Sequence, residues 1–104
     1  MFTIELPVTI TSPLKEISIL EHATATFSCE VSKANQTATW YKNGVEIKPD
    51  EKHEITVDGT FQIMNIKDTS ASEDDADYTI KIGDNGSSAH LHVEGVFSNS
   101  TSEL

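Results

Sequence analysis

The chain has 104 residues, room for one domain with one core and too few for two. Seven Lys, no Arg and seventeen carboxylates set the net charge at −10, which excludes the basic face that nucleic acid or anionic lipid demands. The single cysteine excludes an internal disulfide, and no apolar run approaches the ~18 residues of a membrane-spanning helix.

In chain order, residues 2–10 alternate as Phe2, Ile4, Leu6, Val8 and Ile10, with Pro7 inside the run. Proline cannot donate to a ladder, so the pattern predicts an edge strand. Ser12-Pro13 breaks it, and residues 14–20 resume with Ile17 and Ile19 on one side. A first strand split by proline is one way to pass from one sheet to another. Ala25, Phe27, Cys29 and Val31 alternate with polar residues, the period of a half-buried strand. Cys29 points inward there with no cationic sequence neighbour to lower its pKa, which fits an inert core thiol in a reducing compartment.

A polar loop over residues 32–36 leads to Ala38 and Trp40, inward, and Tyr41, outward. Lys42-Asn43-Gly44-Val45 predicts a tight hairpin turn. Val45 and Ile47 open a short strand that Pro49 ends. Residues 53–57 predict another, with Ile55 and Val57 inward, and Asp58-Gly59 a second hairpin. Phe61, Ile63 and Ile66 follow; the last step of three predicts a strand bending into a corner. Residues 68–77 are acidic. Tyr78, Ile80 and Ile82 return to period two, Asp84-Asn85-Gly86-Ser87 predicts a third hairpin, and Ala89, Leu91 and Val93 close the pattern before Gly95. Eight or nine short strands with a turn about every ten residues predict a sandwich or a barrel.

The order Cys29…Trp40…Asp74-x-Ala76-x-Tyr78 resembles the immunoglobulin fold. The resemblance implies Cys29 on strand B, Trp40 on strand C and Tyr78 at the start of strand F, its hydroxyl bonding back to the backbone. Asp74 and Ala76 match the family's D-x-[AG]-x-Y, and Phe61-x-Ile63-x-x-Ile66 matches the L-x-I-x-x-V of strand E. Ile80 stands where the family has its second cysteine. The split first strand and the short stretch after Trp40 resemble the intermediate, or I-set, class. The runs Pro13-Leu14-Lys15-Glu16-Ile17, Ala25-Thr26-Phe27-Ser28-Cys29-Glu30-Val31-Ser32 and Trp40-Tyr41-Lys42-Asn43-Gly44-Val45-Glu46-Ile47 look like domains of titin, twitchin, obscurin and myosin-binding protein C.

The implied fold is all-β: an immunoglobulin-like β-sandwich of two antiparallel sheets, Greek-key connected, without an intradomain disulfide. Residues 6–95 would form the domain, residues 1–5 an N-terminal extension and residues 96–104 a linker or tail. The implied core is Cys29, Trp40, Phe61, Ile63, Tyr78, Ile80 and Leu91. One departure stands out. Ile66 to Tyr78 is twelve residues, about four more than the family's usual spacing, which predicts a longer E–F corner.

No stretch carries catalytic chemistry. Glu73-Asp74-Asp75-x-Asp77 could attract Ca²⁺, but it lacks the turn glycine and the closing bidentate glutamate of a calcium loop and reads as a solvated acidic corner. His90 and His92 share the outward face of the last strand with no third ligand near in sequence, which reads as a polar face. Ser70 and Ser72 have acids three residues ahead, Glu73 and Asp75, so an acid-directed kinase could use them; the phosphate would repel rather than dock. Asn35-Gln36-Thr37, Asn85-Gly86-Ser87 and Asn99-Ser100-Thr101 fit the glycosylation triplet, which matters only in a secreted chain. Ser28 lies outward beside no His, and no glycine-rich phosphate loop occurs. The expectation is a non-enzyme with no cofactor and no metal site.

The resemblance implies a structural role: a tension-bearing spacer and protein-interaction platform in a cytoplasmic, sarcomeric protein. Its partners would be other sarcomeric proteins or neighbouring domains, not nucleic acid or membrane. Residues 17–20 against residues 89–93 would form the mechanical clamp, which proline at 18 or 91 should weaken. Two alternatives remain at this point. One is a recognition module that adds a partner strand at residues 2–10 or along strand G. The other is an extracellular adhesion or receptor domain, glycosylated at Asn35 or Asn85.

Overall fold

The computed structural model describes residues 8–95. Nine strands lie among them: β1 (Ile10–Ser12), β2 (Ile17–Leu20), β3 (Ala25–Val31), β4 (Thr39–Lys42), β5 (Val45–Ile47), β6 (His53–Asp58), β7 (Phe61–Ile66), β8 (Ala76–Ile82) and β9 (Asn85–Glu94). They form a four-stranded sheet in the order β1-β3-β7-β6 and a five-stranded sheet in the order β2-β9-β8-β4-β5. The first strand is split as its sequence suggests. β1 pairs antiparallel with β3 in one sheet; beyond Pro13, β2 pairs with β9 in the other. That β2–β9 pair is parallel, whereas the remaining pairs are antiparallel.

The core follows from alternation. β3 buries Ala25, Phe27, Cys29 and Val31; β8 buries Ala76, Tyr78, Ile80 and Ile82; Trp40, Leu91 and Val93 join them from β4 and β9. Two-residue hairpins hold the registers. Lys42 pairs with Val45, and Asn43 and Gly44 between them both take positive φ, the type I′ geometry that suits a twisted hairpin.

Four expectations are corrected. Phe61 and Ile63, expected in the core, sit on the outer face of β7; Phe61 is 44 % exposed. The strand buries the opposite phase, Gln62, Met64 and Ile66, because that phase meets the inward side of β3, with Met64 opposite Phe27. Val57 has the inward phase of β6, but β6 is a sheet edge and Val57 is exposed. The third hairpin turns two residues early: Ile82 pairs with Asn85, and Gly83 takes the positive φ that opens a two-residue turn. Asn85 and Gly86 already belong to β9. Finally, β9 is not a free edge throughout: β8 pairs with residues 85–91, and on the other side β2 pairs with residues 91–94. Of the strand expected at residues 2–10, the described part is strand only from Ile10; residues 2–7, the extension at residues 1–5 and the tail at residues 96–104 lie outside the described residues.

Candidate functional site

Trp40 lies beside Ile80 on adjacent strands of one sheet, and Cys29 is buried in the other. Cys29 is a free thiol, and burial pushes its pKa up, away from the reactive thiolate. Tyr78 stacks at a tilt on Phe27, ring centroids 5.1 Å apart. Its hydroxyl donates to the Asp74 carbonyl at 2.8 Å. Burial, with the charges of Asp74 and Asp75 behind it, raises the phenol's pKa, so it stays a donor.

The acidic corner after β7 is tied down. The Asp74 carboxylate accepts from the Ser70 amide at 2.7 Å and pairs with Lys52 Nζ at 2.8 Å. The hydrogen bond to Asp74 holds the Lys52 ammonium above its usual range. Thr69 is fully buried and donates its hydroxyl to the Ala23 carbonyl at 2.8 Å, while its own carbonyl accepts from the His22 amide at 2.7 Å. Ala71 donates its amide to Glu21 Oε2 at 2.8 Å, and the Lys42 ammonium donates to the Glu73 carbonyl. The buried set is thus Met64, Ile66 and Thr69, with steps of two and three. It carries the spacing that the sequence suggested for Phe61, Ile63 and Ile66. The chain from Thr69 to Tyr78 is nine residues, so counting the motif's last apolar position at Thr69 instead of Ile66 removes three of the apparent extra residues from the corner.

The β2–β9 ladder aligns Ile17 with Leu91, Ser18 with His92, Ile19 with Val93 and Leu20 with Glu94. Glu21 extends it by donating its amide to the Glu94 carbonyl at 2.9 Å. Amide direction alternates along an extended chain, so the amides of Ile17 and Ile19 also face β9 and that of Ser18 faces away.

On the outer face of β8 and β9, register brings carboxylates and imidazoles together. Asp77 is directly opposite His90. His90 Nδ1 is 2.8 Å from Asp77 and its Nε2 is 3.1 Å from Asp75. His92 Nδ1 lies 3.0 Å from the other Asp75 oxygen, which also accepts the Val93 amide at 3.1 Å. The Asp77 hydrogen bond leads in raising the His90 pKa, and the Val93 amide leads in lowering that of Asp75. Both imidazole nitrogens of His90 are engaged by carboxylates, which is the protonated form's arrangement. A similar pair, His22 with Asp68 at 2.6 Å, raises His22 and lowers Asp68.

The candidate residues therefore serve different partners. In the acidic run, Asp74 is buried against Lys52 while Asp75 and Asp77 face the histidines. Their oxygens do not converge, and no group of three or more His, Cys, Asp and Glu among the described residues could hold a metal. Ser70 and Ser72 share a hydroxyl–hydroxyl contact of 2.9 Å. Ser28 lines a shallow recess with Ser12, Pro13, Lys15, Ile17 and Thr26, which supplies no imidazole. Asn35 is exposed at positive φ, whereas the Asn85 side chain donates to the Val8 carbonyl; Asn99 is outside the described residues. The sequence reading missed the His90–Asp75–His92 bridge and the Lys52–Asp74 pair. The first needs strand register and the second the packing of one sheet on the other, and their partners lie 15–22 residues apart.

Residues 8–94 match the immunoglobulin I-set domain family. The chain belongs to the immunoglobulin I-set family. The crystal structure of domain I10 from titin shares 43 % identity with this I-set domain at a TM-score of 0.80, covering 85 % of this chain and 99 % of that one. Titin of Drosophila melanogaster is 34 % identical over 94 residues, which is 90 % of this chain and 0 % of titin to the nearest per cent. Cardiac-type myosin-binding protein C of Gallus gallus is 35 % identical over 96 residues, 90 % of this chain and 8 % of that protein. The I-set domain thus spans less than a tenth of these curated relatives. They are sarcomeric muscle proteins, and the second is named for binding myosin. Within this frame Tyr78 is the tyrosine corner, and Ile80 occupies the place of the second cysteine.

Proposed function

We propose that this I-set domain is a tension-bearing link in a cytoplasmic, sarcomeric protein, working by folding and contact rather than by catalysis. The observation that carries the reading is the parallel β2–β9 pair. The chain enters β2 at one end of this ladder and leaves β9 at the other. Pulling the termini apart therefore loads the ladder in shear, so its hydrogen bonds resist together. An antiparallel pair loaded at one end would unzip bond by bond. The relatives' occurrence in muscle proteins and the absence of a cross-link at Cys29 support the same setting.

Single-molecule pulling tests it. Proline at Ile19 removes an amide that faces β9 and should lower the unfolding force. Proline at Ser18 removes one that faces away and should lower it less. Ile19→Ala accounts for the lost side chain. An Ile19→Pro force equal to that of Ile19→Ala overturns the clamp.

A further inference from the structure

The outer face of the four-stranded sheet carries an aromatic that the core does not use. Register sets three rows across β3, β7 and β6: Glu30–Phe61–Asp58, Ser28–Ile63–Thr56 and Thr26–Asn65–Glu54. Directly opposed residues stand with Cβ atoms about 4.5–5.5 Å apart, so a carboxylate flanks the Phe61 ring on each side. The third row closes on itself: Thr26 Oγ1 donates to Asn65 at 2.6 Å, and the Asn65 amide reaches Glu54 at 3.4 Å. The first row does not. Among the described residues the Glu30 carboxylate accepts only a hydroxyl, that of Thr60 at 3.2 Å, and β3, β6 and β7 carry no lysine. The result is an apolar centre of Phe61 and Ile63, with short polar flanks and carboxylates at its corners.

We propose that this face docks a basic protein segment, with an arginine stacked on Phe61 between Glu30 and Asp58 and an apolar side chain over Ile63. The guanidinium is the group that matches both features at once. Its plane stacks on an aromatic ring, and its edge donors reach carboxylates. These 104 residues contain no arginine, so the group comes from outside this domain. A second copy would bring a charge of −10 against −10 and no guanidinium, which argues against self-association. This surface is separate from the β2–β9 ladder, so either proposal can fail without the other.

The test uses a synthetic ten-residue peptide of alternating arginine and valine, titrated into the ¹⁵N-labelled domain at physiological salt. Expected amide shifts map to β3, β6 and β7, and a lysine–valine peptide binds several-fold more weakly. Phe61→Ala should weaken binding about fivefold or more, and Glu30→Gln with Asp58→Asn by a similar factor. Each variant's unperturbed amide spectrum reports its folding. If Phe61→Ala does not fold, the two neutralised carboxylates carry the test, since they alter only exposed or half-buried positions. Shifts centred on residues 68–77 or on His90 and His92, or variants that bind as the parent does, overturn the proposal.

Discussion

Lys52 Nζ sits 2.8 Å from Asp74 Oδ2, and the Asp74 side chain is only 2 % exposed. The pair joins the residue before β6 to the corner before β8, at the same Asp74 whose carbonyl Tyr78 holds. Removing the lysine strands a buried carboxylate. Lys52→Met should cost about 2–3 kcal/mol, near the low end for a broken buried pair because the lysine is partly solvated. Urea denaturation measures it. Tyr78→Phe should cost less, about 1 kcal/mol, because only one neutral hydrogen bond is lost.

The place of Ile80 predicts a gain. It lies on the strand where the family has its second cysteine, beside Trp40, and it is fully buried opposite the sheet that holds Cys29. Ile80→Cys, oxidised, should close a loop of about 50 residues and raise stability by about 4 kcal/mol in the chain-entropy account. The thermal midpoint of oxidised against reduced protein reads this out, with the reduced form below the parent. Trp40→Ala should lose about 3–5 kcal/mol, because nothing else in the core has the volume of its indole.

Protonation sets a stability window on the acid side of neutral. His90 and His22 have folded pKa values above the ordinary 6.5, so their contribution is full below 6.5 and is lost as pH rises through the folded values. Asp50, Asp68 and Asp75 lie below the ordinary 3.8, so theirs is full above 3.8 and is lost as pH falls through the folded values. The midpoint should therefore be highest between about pH 4 and 6.5. The net charge of −10 sharpens the alkaline decline by self-repulsion. His90→Gln should flatten that decline, as thermal melts at pH 5.5 and pH 8 would measure.

Much of the architecture was legible because β3 and β8 bury one phase and expose the other, leaving alternation a single reading. β7 was not, and the reason is physical. Phe61-Gln62-Ile63-Met64-Asn65-Ile66 carries apolar residues in both phases, and the phase with the aromatic ring faces outward. The buried phase contains Gln62, whose amide donates to the Gln36 carbonyl at 2.9 Å. A polar residue can be inward when its partner waits there, and that partner is 26 residues away. The turn after Ile82 was misplaced for a related reason. Asn85-Gly86 carries the stronger local signal, but the Asp77–His90 register puts Gly83-Asp84 at the bend. The ion pairs at His90 were invisible for want of that same register, and the Lys52–Asp74 pair because it joins segments next to strands of different sheets.

The thiol of Cys29 has a consequence of its own. Sealed between the sheets, with its pKa pushed up, it is shielded from alkylating reagents while the sandwich is closed. It becomes available only when strands part. The rate at which it takes up a label is therefore a count of openings. Under load or denaturant, this one atom reports how often the domain yields, and with no second cysteine in these 104 residues the domain can close again without a mispaired bridge.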